Sequence, residues 1–454
     1  MPIQAPPGPA ILTSADPGWD DARKAWNLTV DQHPAAVALP ESAADVVAAV
    51  RFARERGLRV AAQGTGHGAA PLGSLADTIL VKTAAMRQVT IDPRAKIARA
   101  EAGAVWRGVV ETAAEHGLAG LAGSSSDVGV AGYTLGGGIS WLGRAYGLAA
   151  NNVEAIEVVT ADGRLVRADG CHEADLFWAL RGGGGSFGVV TAIELRLFPV
   201  TEVYAGQLWW PAEAASAVLQ AWRELTQSGL PDEFTSYARV THFPPIPDIP
   251  EQLRGRRFVT VFVSHLGAPA EADTLLAPLR ALRPVTDTIQ TIPAKALSHL
   301  HIDPEQPSAS VSDALMLATL PAQAIDMFVR VAGPEADPLL LGAELMHIGG
   351  EMKRARPASG ALAAIDAEYI LFTVGRPPSL QAAPTLARSV AAARTAMRPW
   401  AARQMYLNLA ETERDPASFW TPQAYDRLRR VKAAVDPDDV IRANHPIPPA
   451  GQIQ

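Results

Sequence analysis

The residue with the most chemistry open to it is a histidine set between glycines. His67 lies in Gly64-Thr65-Gly66-His67-Gly68, and two more glycine-rich stretches follow, Gly129-Val130-Ala131-Gly132-Tyr133-Thr134-Leu135-Gly136-Gly137-Gly138 and Arg181-Gly182-Gly183-Gly184-Gly185-Ser186-Phe187-Gly188. Glycine lets backbone N–H groups approach a pyrophosphate without a Cβ in the way, and successive amides form an anion-binding concavity. A single loop of this kind reads as a tight turn; three, one carrying an imidazole, point to a phosphate-bearing cofactor. None is a G-x-G-x-x-G joining a first strand to a helix with an acid about 20 residues on, which argues against a Rossmann dinucleotide domain. Ser298-His299-Leu300-His301 puts two imidazoles on one strand face, but no carboxylate or third histidine follows at ligand spacing, so no metal is expected.

The elements that must position these loops are legible around them. Ser42 reads as a helix N-cap with Asp45 three residues on, and Val46, Ala49, Val50 and Ala53 share one helical face that Gly57 ends. Leu58–Ala62 is a short strand leading into the His67 loop, with further strands at Thr78–Lys82, Val89–Asp92 and Ile97–Glu101 and a helix over Val105–His116. Beyond residue 200 the character shifts. Strands rich in aromatic and β-branched residues (Tyr204–Trp210, Phe258–Val263, Tyr369–Val374) alternate with alanine-rich helices (Ala212–Leu225, Ala382–Met397), the pattern of an antiparallel sheet with helices on one face. Phe243-Pro244-Pro245-Ile246-Pro247 reads as an ordered loop. The tail passes from a strand-like Met405–Leu409 to an amphipathic helix, Tyr425–Val435.

Three segments together carry a resemblance: Leu39-Pro40-Glu41-Ser42-Ala43-Ala44-Asp45-Val46, Gln63-Gly64-Thr65-Gly66-His67-Gly68, and Val128-Gly129 through Gly138. They resemble the FAD-binding domain of the vanillyl-alcohol oxidase (PCMH-type) superfamily, and more closely its berberine-bridge-enzyme-like branch. Asp175-Leu176-Phe177-Trp178-Ala179-Leu180-Arg181-Gly182-Gly183-Gly184-Gly185 is a further hallmark, and Tyr425 to Asn444 is similar to that branch's tail. The match is specific over about residues 20 to 200 and 400 to 450 and loose between.

The resemblance implies an α+β protein with three parts. Residues 1–200 form a two-subdomain FAD-binding domain, residues 201–400 an antiparallel-sheet substrate domain, and residues 401–454 a segment returning to the FAD domain. It implies FAD joined through its 8α-methyl group to His67, with Gly64, Thr65, Gly66, Gly68, Ser125, Val128, Gly129, Gly132, Tyr133, Gly136, Gly137, Val190 and Asn444 around it. Relatives with a second covalent bond carry a cysteine where this chain has Ser125, so a single bond is expected. Val128 stands where oxygen-reactive relatives tend to carry valine, which favours an oxidase passing electrons to O2 over a dehydrogenase using another acceptor. Tyr133 and Gln63 replace a histidine and an arginine frequent in relatives.

Hydride transfer from a C–OH or C–NH carbon to flavin N5 is helped by a base near the substrate proton. Relatives often place a tyrosine at the end of Tyr-x-Asn-Tyr; here the segment is Tyr406-Leu407-Asn408-Leu409, and that tyrosine is missing. The candidates left are Tyr406, Glu411, Glu344 and His347, with His347 able to face either the flavin or the core. Tyr204, Trp209, Trp210, Tyr237, Phe262 and Tyr369 could stack on a sugar or an aromatic substrate, or simply pack, as strand aromatics do.

Composition bounds the rest. The chain has 454 residues, 48% of them hydrophobic and 19% charged, enough for more than one core. A net charge of -7, with no basic cluster interleaved with aromatics, argues against a nucleic-acid partner. The one cysteine, Cys171, excludes an internal disulfide framework. No apolar run reaches the roughly 18 residues of a membrane helix, and Met1–Pro17 lacks the pattern of a signal peptide, so a cytoplasmic protein is expected. The alanine-rich, arginine-over-lysine composition is typical of high-GC bacteria. The partners expected are a small-molecule substrate and O2, with the oligomeric state left open.

Overall fold

A computed structural model describes residues 8–451 except Asp248 and Ile302. Two sheets stand around the glycine loops. The first runs in the order Ala10–Leu12, Ala36–Leu39, Thr78–Lys82, Arg59–Gln63, Ile441–Arg442, and is parallel except at its first pair. The second, wholly antiparallel, runs Val89–Asp92, Ile97–Glu101, Val189–Arg196, Val153–Val159, Leu165–Asp169. The helix Ala43–Glu55 is wedged between them. Its Ser42 cap accepts the Asp45 N–H, and Val46, Ala49, Val50 and Ala53 bury against Val60, Ile79 and Val81 on one side and Val159 and Val189 on the other. Gly57, at φ +66, closes its C-terminus.

The third sheet is antiparallel and eight-stranded. Its main path is Thr286–Asp287, Glu202–Pro211, Arg257–His265, Phe234–His242, Leu340–His347, Tyr369–Gly375, Val311–Leu317, with Gln290–Pro293 also paired to Glu202–Pro211. Side chains alternate between its faces. One face (Ala238, Val240, Leu345, Tyr369, Leu371) packs under the helices Ala215–Gln227, Pro269–Arg280 and Ala322–Ala332 through Trp222, Leu276 and Phe328, each such burial contributing roughly 1.5–3 kcal/mol. The other face (Tyr237, Phe262, Ala314, Met316, Ile370) meets Trp141, Leu135 and Ile139, next to the second glycine loop. The helix-on-one-face expectation therefore holds, and the free face is turned toward the glycine loops.

Two segments differ from expectation. Ser298-His299-Leu300-His301 is not on a strand: His299 ends the 3-10 helix Ala294–His299, and its ring is exposed while that of His301 is buried. Met405–Leu409 is no strand: Leu407–Leu409 form a 3-10 turn. Asn408 turns its side chain back to donate to the Tyr133 carbonyl at 2.8 Å and to the Tyr406 hydroxyl at 3.2 Å. Among the described residues, no helix is long and apolar enough to cross a membrane.

Candidate active site

The strand Arg59–Gln63 delivers the His67 loop. Gly66 is required within it: at φ +88 a Cβ would stand 2.8 Å from the Gln63 amide nitrogen and 2.9 Å from the Ala25 Cα. Trp26 stacks on the imidazole, ring centroids 4.2 Å apart and planes 20° from parallel. The indole N–H of Trp26 donates to Asp127 Oδ2 at 2.6 Å, the same oxygen lies 3.7 Å from His67 Nε2, and the Thr65 hydroxyl is 2.9 Å from Nδ1. Asp127 Oδ1 is buried with no hydrogen-bond partner among the described residues. Burial pushes the His67 pKa down to about 4, so its ring is neutral near pH 7. Burial also raises the Asp127 carboxyl, against the Trp26 hydrogen bond that lowers it.

Whether this loop suits an anionic cofactor is tested by its backbone. The amides of Thr65, Gly66, His67 and Gly68 donate to no acceptor among the described residues, which leaves four consecutive donors in a partly buried loop open to a ligand. The Asn444 side chain, from the tail, donates to the Gly68 carbonyl and holds the loop from behind. Gly129 precedes the short helix Val130–Leu135, and a Cβ on Gly132 would meet nothing within 4 Å. The residues present fit a phosphate-bearing group.

The rest of the second loop is packed by the tail. A Cβ on Gly137, at φ +121, would stand 3.1 Å from the Tyr406 ring, and one on Gly136 would collide with Asn408. Tyr133 donates its hydroxyl to the Leu121 carbonyl at 2.9 Å. The Ser125 hydroxyl donates to Asp303 Oδ2 at 2.8 Å, Val128 is half-buried against the core, and Val190 lies within that core.

On the sheet face turned toward these loops sits a charged cluster in apolar surroundings. Arg239 Nε donates to Glu344 Oε2 at 2.8 Å, and its Nη2 lies 2.8 Å from His301 Nδ1. His301 Nε2 is 3.3 Å from Glu344 Oε2, and Asp303 is 3.6 Å from Arg239. Burial raises the Glu344 pKa, with Arg239 opposing it, while burial and Arg239 hold His301 well below its ordinary value, keeping it neutral. Trp141 packs on Tyr237 (4.5 Å) and His301 (5.0 Å), and Phe262 on His301 (4.5 Å). The Tyr237 hydroxyl is buried with no partner among the described residues.

The four proton-transfer candidates are thus separated. Glu344 faces the loops, and Tyr406 is buried beside Gly137 with burial raising its pKa. Glu411 lies near Asp313, and burial with that neighbour's charge pushes it up to about 8. His347 has the opposite parity from Glu344: its ring packs 5.3 Å from Tyr369 on the helix-covered face, so of its two open orientations it takes the core. Of the aromatic residues weighed for stacking, Tyr237 and Phe262 face the loops; Trp210 and Tyr369 lie under the helices, Trp209 stacks on Phe243, and Tyr204 donates to Asp273.

Burial pushes the His347 pKa down to about 3. The unfolded chain takes up a proton near pH 6.5 and the folded one does not, so this residue makes stability fall as pH drops from 6.5 to about 3, by ~1.4 kcal/mol per pH unit. Urea unfolding at pH 6.5 and 4.5 should show a smaller acid loss in His347→Phe than in wild type; equal losses would mean the ring titrates freely.

Asp127, Trp26, Arg239 and Asp303 were not among the sequence candidates. An arginine inside the buried strand Phe234–His242 was a usable signal, and Asp127 adjoins Val128; nothing marked Trp26. Asp303 does reach His301, at 3.8 Å, although the His-x-His reading found no carboxylate at ligand spacing.

The fold and this site, a donor-lined loop around a histidine and a sheet that carries buried acid and aromatic groups, fit a flavin-dependent oxidoreductase. Residues 34–169 match the profile of the FAD binding domain, and residues 405–448 that of berberine and berberine-like proteins. The chain is 30% identical over 470 residues to (R)-6-hydroxynicotine oxidase of Paenarthrobacter nicotinovorans, covering 97% of each. It is 33% identical to glucooligosaccharide oxidase of Sarocladium strictum over 48% of this chain and 45% of that one. The crystal structure of 6-hydroxy-D-nicotine oxidase from Arthrobacter nicotinovorans matches with a TM-score of 0.79 at 27% identity, covering 97% of both chains. Berberine bridge enzyme from Eschscholzia californica matches in fold, at a TM-score of 0.81 and 19% identity over 98% of both. The chain belongs to the berberine-bridge-enzyme and 6-hydroxynicotine oxidase family of PCMH-type flavoenzymes, the FAD-linked oxidoreductases.

Proposed function

We propose that this enzyme is an oxidase holding FAD through a single covalent bond to His67, and that it oxidises a small organic substrate seated between the flavin and the third sheet. FAD, when bound, would supply a hydride acceptor that O2 can reoxidise to give hydrogen peroxide. The amides of residues 65–68 would hold its phosphates, and Gly132, whose Cβ site is open, would let the second loop's backbone close in. Trp141, Tyr237 and Phe262 cover the substrate and exclude water. Glu344 accepts the substrate's O–H or N–H proton, with Arg239 and His301 fixing its orientation. The observation that carries this reading is a chain of polar contacts: Asp127 lies beside His67, Ser125 of the same segment donates to Asp303, and Asp303 pairs with Arg239, which holds the buried Glu344. Residues 1–200 and 401–454 hold the cofactor in this reading, and residues 201–400 roof the substrate.

The relatives' names span a hydroxynicotine and a glucooligosaccharide, so substrate class is to be found by anaerobic screening of amines, alcohols and sugars for flavin bleaching. The covalent assignment has its own test. His67→Ala is expected to bind FAD yet release all of it on acid precipitation, whereas the wild-type pellet stays yellow; colour retained in the variant's pellet would refute the assignment.

A further inference from the structure

The residues around His67 form a set that holding phosphates does not require. Three groups converge on one imidazole: a stacked indole, a hydroxyl at Nδ1 and a carboxylate toward Nε2. The carboxylate is itself anchored, because the Trp26 indole that covers the ring also donates to Asp127 Oδ2. Its other oxygen has no partner among the described residues although it is buried, a costly arrangement for a residue with only a structural task. The Nε2–H tautomer lets the Thr65 hydroxyl donate to Nδ1 and puts the ring proton on the side of Asp127.

We propose that Asp127, held in place by Trp26, removes the Nε2 proton of His67 and so makes Nδ1 the nucleophile that bonds to the 8α carbon of FAD. The inference rests on the reading of His67 as the attachment residue. In this step the Thr65 hydroxyl turns away from Nδ1 and one N–C bond forms. One methyl C–H bond and the imidazole N–H bond break; the N–H proton passes to Asp127 and the methyl proton to a nitrogen of the flavin ring. Two electrons remain in the flavin ring system until O2 takes them up with two protons as hydrogen peroxide. The Trp26 ring keeps the imidazole plane fixed throughout. Asp127 thus acts through His67, as a base for attachment, and has no part in substrate oxidation.

The test uses the full chain produced under riboflavin limitation and then given FAD. Covalent incorporation is followed by the mass of the denatured chain and by flavin fluorescence in a denaturing gel, and non-covalent binding by quenching of flavin fluorescence. Asp127→Asn should attach FAD on the order of 100-fold more slowly than wild type, with binding retained, and its attachment should accelerate with rising pH as hydroxide replaces the missing carboxylate. Asp127→Glu should recover part of the rate. Trp26→Phe, which keeps the stack but loses the N–H, should be slower by about 10-fold, the worth of one hydrogen bond to a charged group. Attachment at the wild-type rate in Asp127→Asn, or in Trp26→Phe should the first variant not fold, overturns the role of Asp127 while leaving His67 as the attachment residue. Release of flavin from denatured wild-type chain overturns the covalent reading itself and this inference with it.

Discussion

Replacing Glu344 with glutamine is expected to lower kcat by roughly 10²–10⁴-fold, the usual worth of a positioned general base, with a much smaller change in KM. The substitution keeps the side chain's shape and leaves Arg239 an oxygen to bond, so the loss isolates proton acceptance. The pH dependence has a definite sign. As the proposed base Glu344 must be ionised to act, and burial raises its pKa above the ordinary glutamate value, so wild-type activity is expected to rise with pH through an acid limb displaced upward from the ordinary carboxylate range. Glu344→Gln should lose that limb together with the rate. Stopped-flow reduction of the flavin under nitrogen reads this step alone. If Tyr406→Phe abolishes reduction while Glu344→Gln does not, the base is the tyrosine and the assignment made here fails.

The second large effect concerns the tail. Lys432, on the helix Pro422–Val435, is fully buried, and its ammonium donates to Asp436 Oδ2 at 2.5 Å and to the carbonyls of Ser186 and Ile441 at 2.9 and 3.0 Å. Asp436 in turn accepts the N–H groups of Val440 and Ile441 at 2.8 Å each, and Ile441 pairs with Val60 in the first sheet. One buried ion pair therefore clamps the third glycine loop, the tail and the strand leading to His67. Lys432→Met leaves the carboxylate buried without its counter-charge, which should cost about 3–5 kcal/mol, a large part of a typical domain's 5–15 kcal/mol. Urea denaturation of the holoenzyme should show this as a lowered midpoint with a similar slope. A loss below ~1 kcal/mol would mean that water reaches the pair.

Both variants turn on residues the sequence treats very differently. The glycine loops, the Ser42 cap and the β-rich middle were legible because each is written in local chemistry: positive φ needs glycine, a cap needs a short oxygen side chain, and a half-covered sheet needs alternation. Leu407–Leu409 was misread as a strand because its apolar residues satisfy a strand's local preference, whereas the Asn408 bonds that make it a turn come from Tyr133, far away in sequence.

What the chain determined by itself is the proposed cofactor half of the site, since His67 and the amides that surround it lie within a few consecutive residues. The substrate half was decided only by tertiary structure. The strands Phe234–His242 and Leu340–His347 pair in one register, and that register sets Arg239 beside Glu344 and turns His347 into the core. Likewise Trp26 and Asp127, about a hundred residues apart, meet on one imidazole because the folded chain brings their loops together. Charge pairing at that distance leaves no periodicity in the sequence; it exists once the backbone has closed.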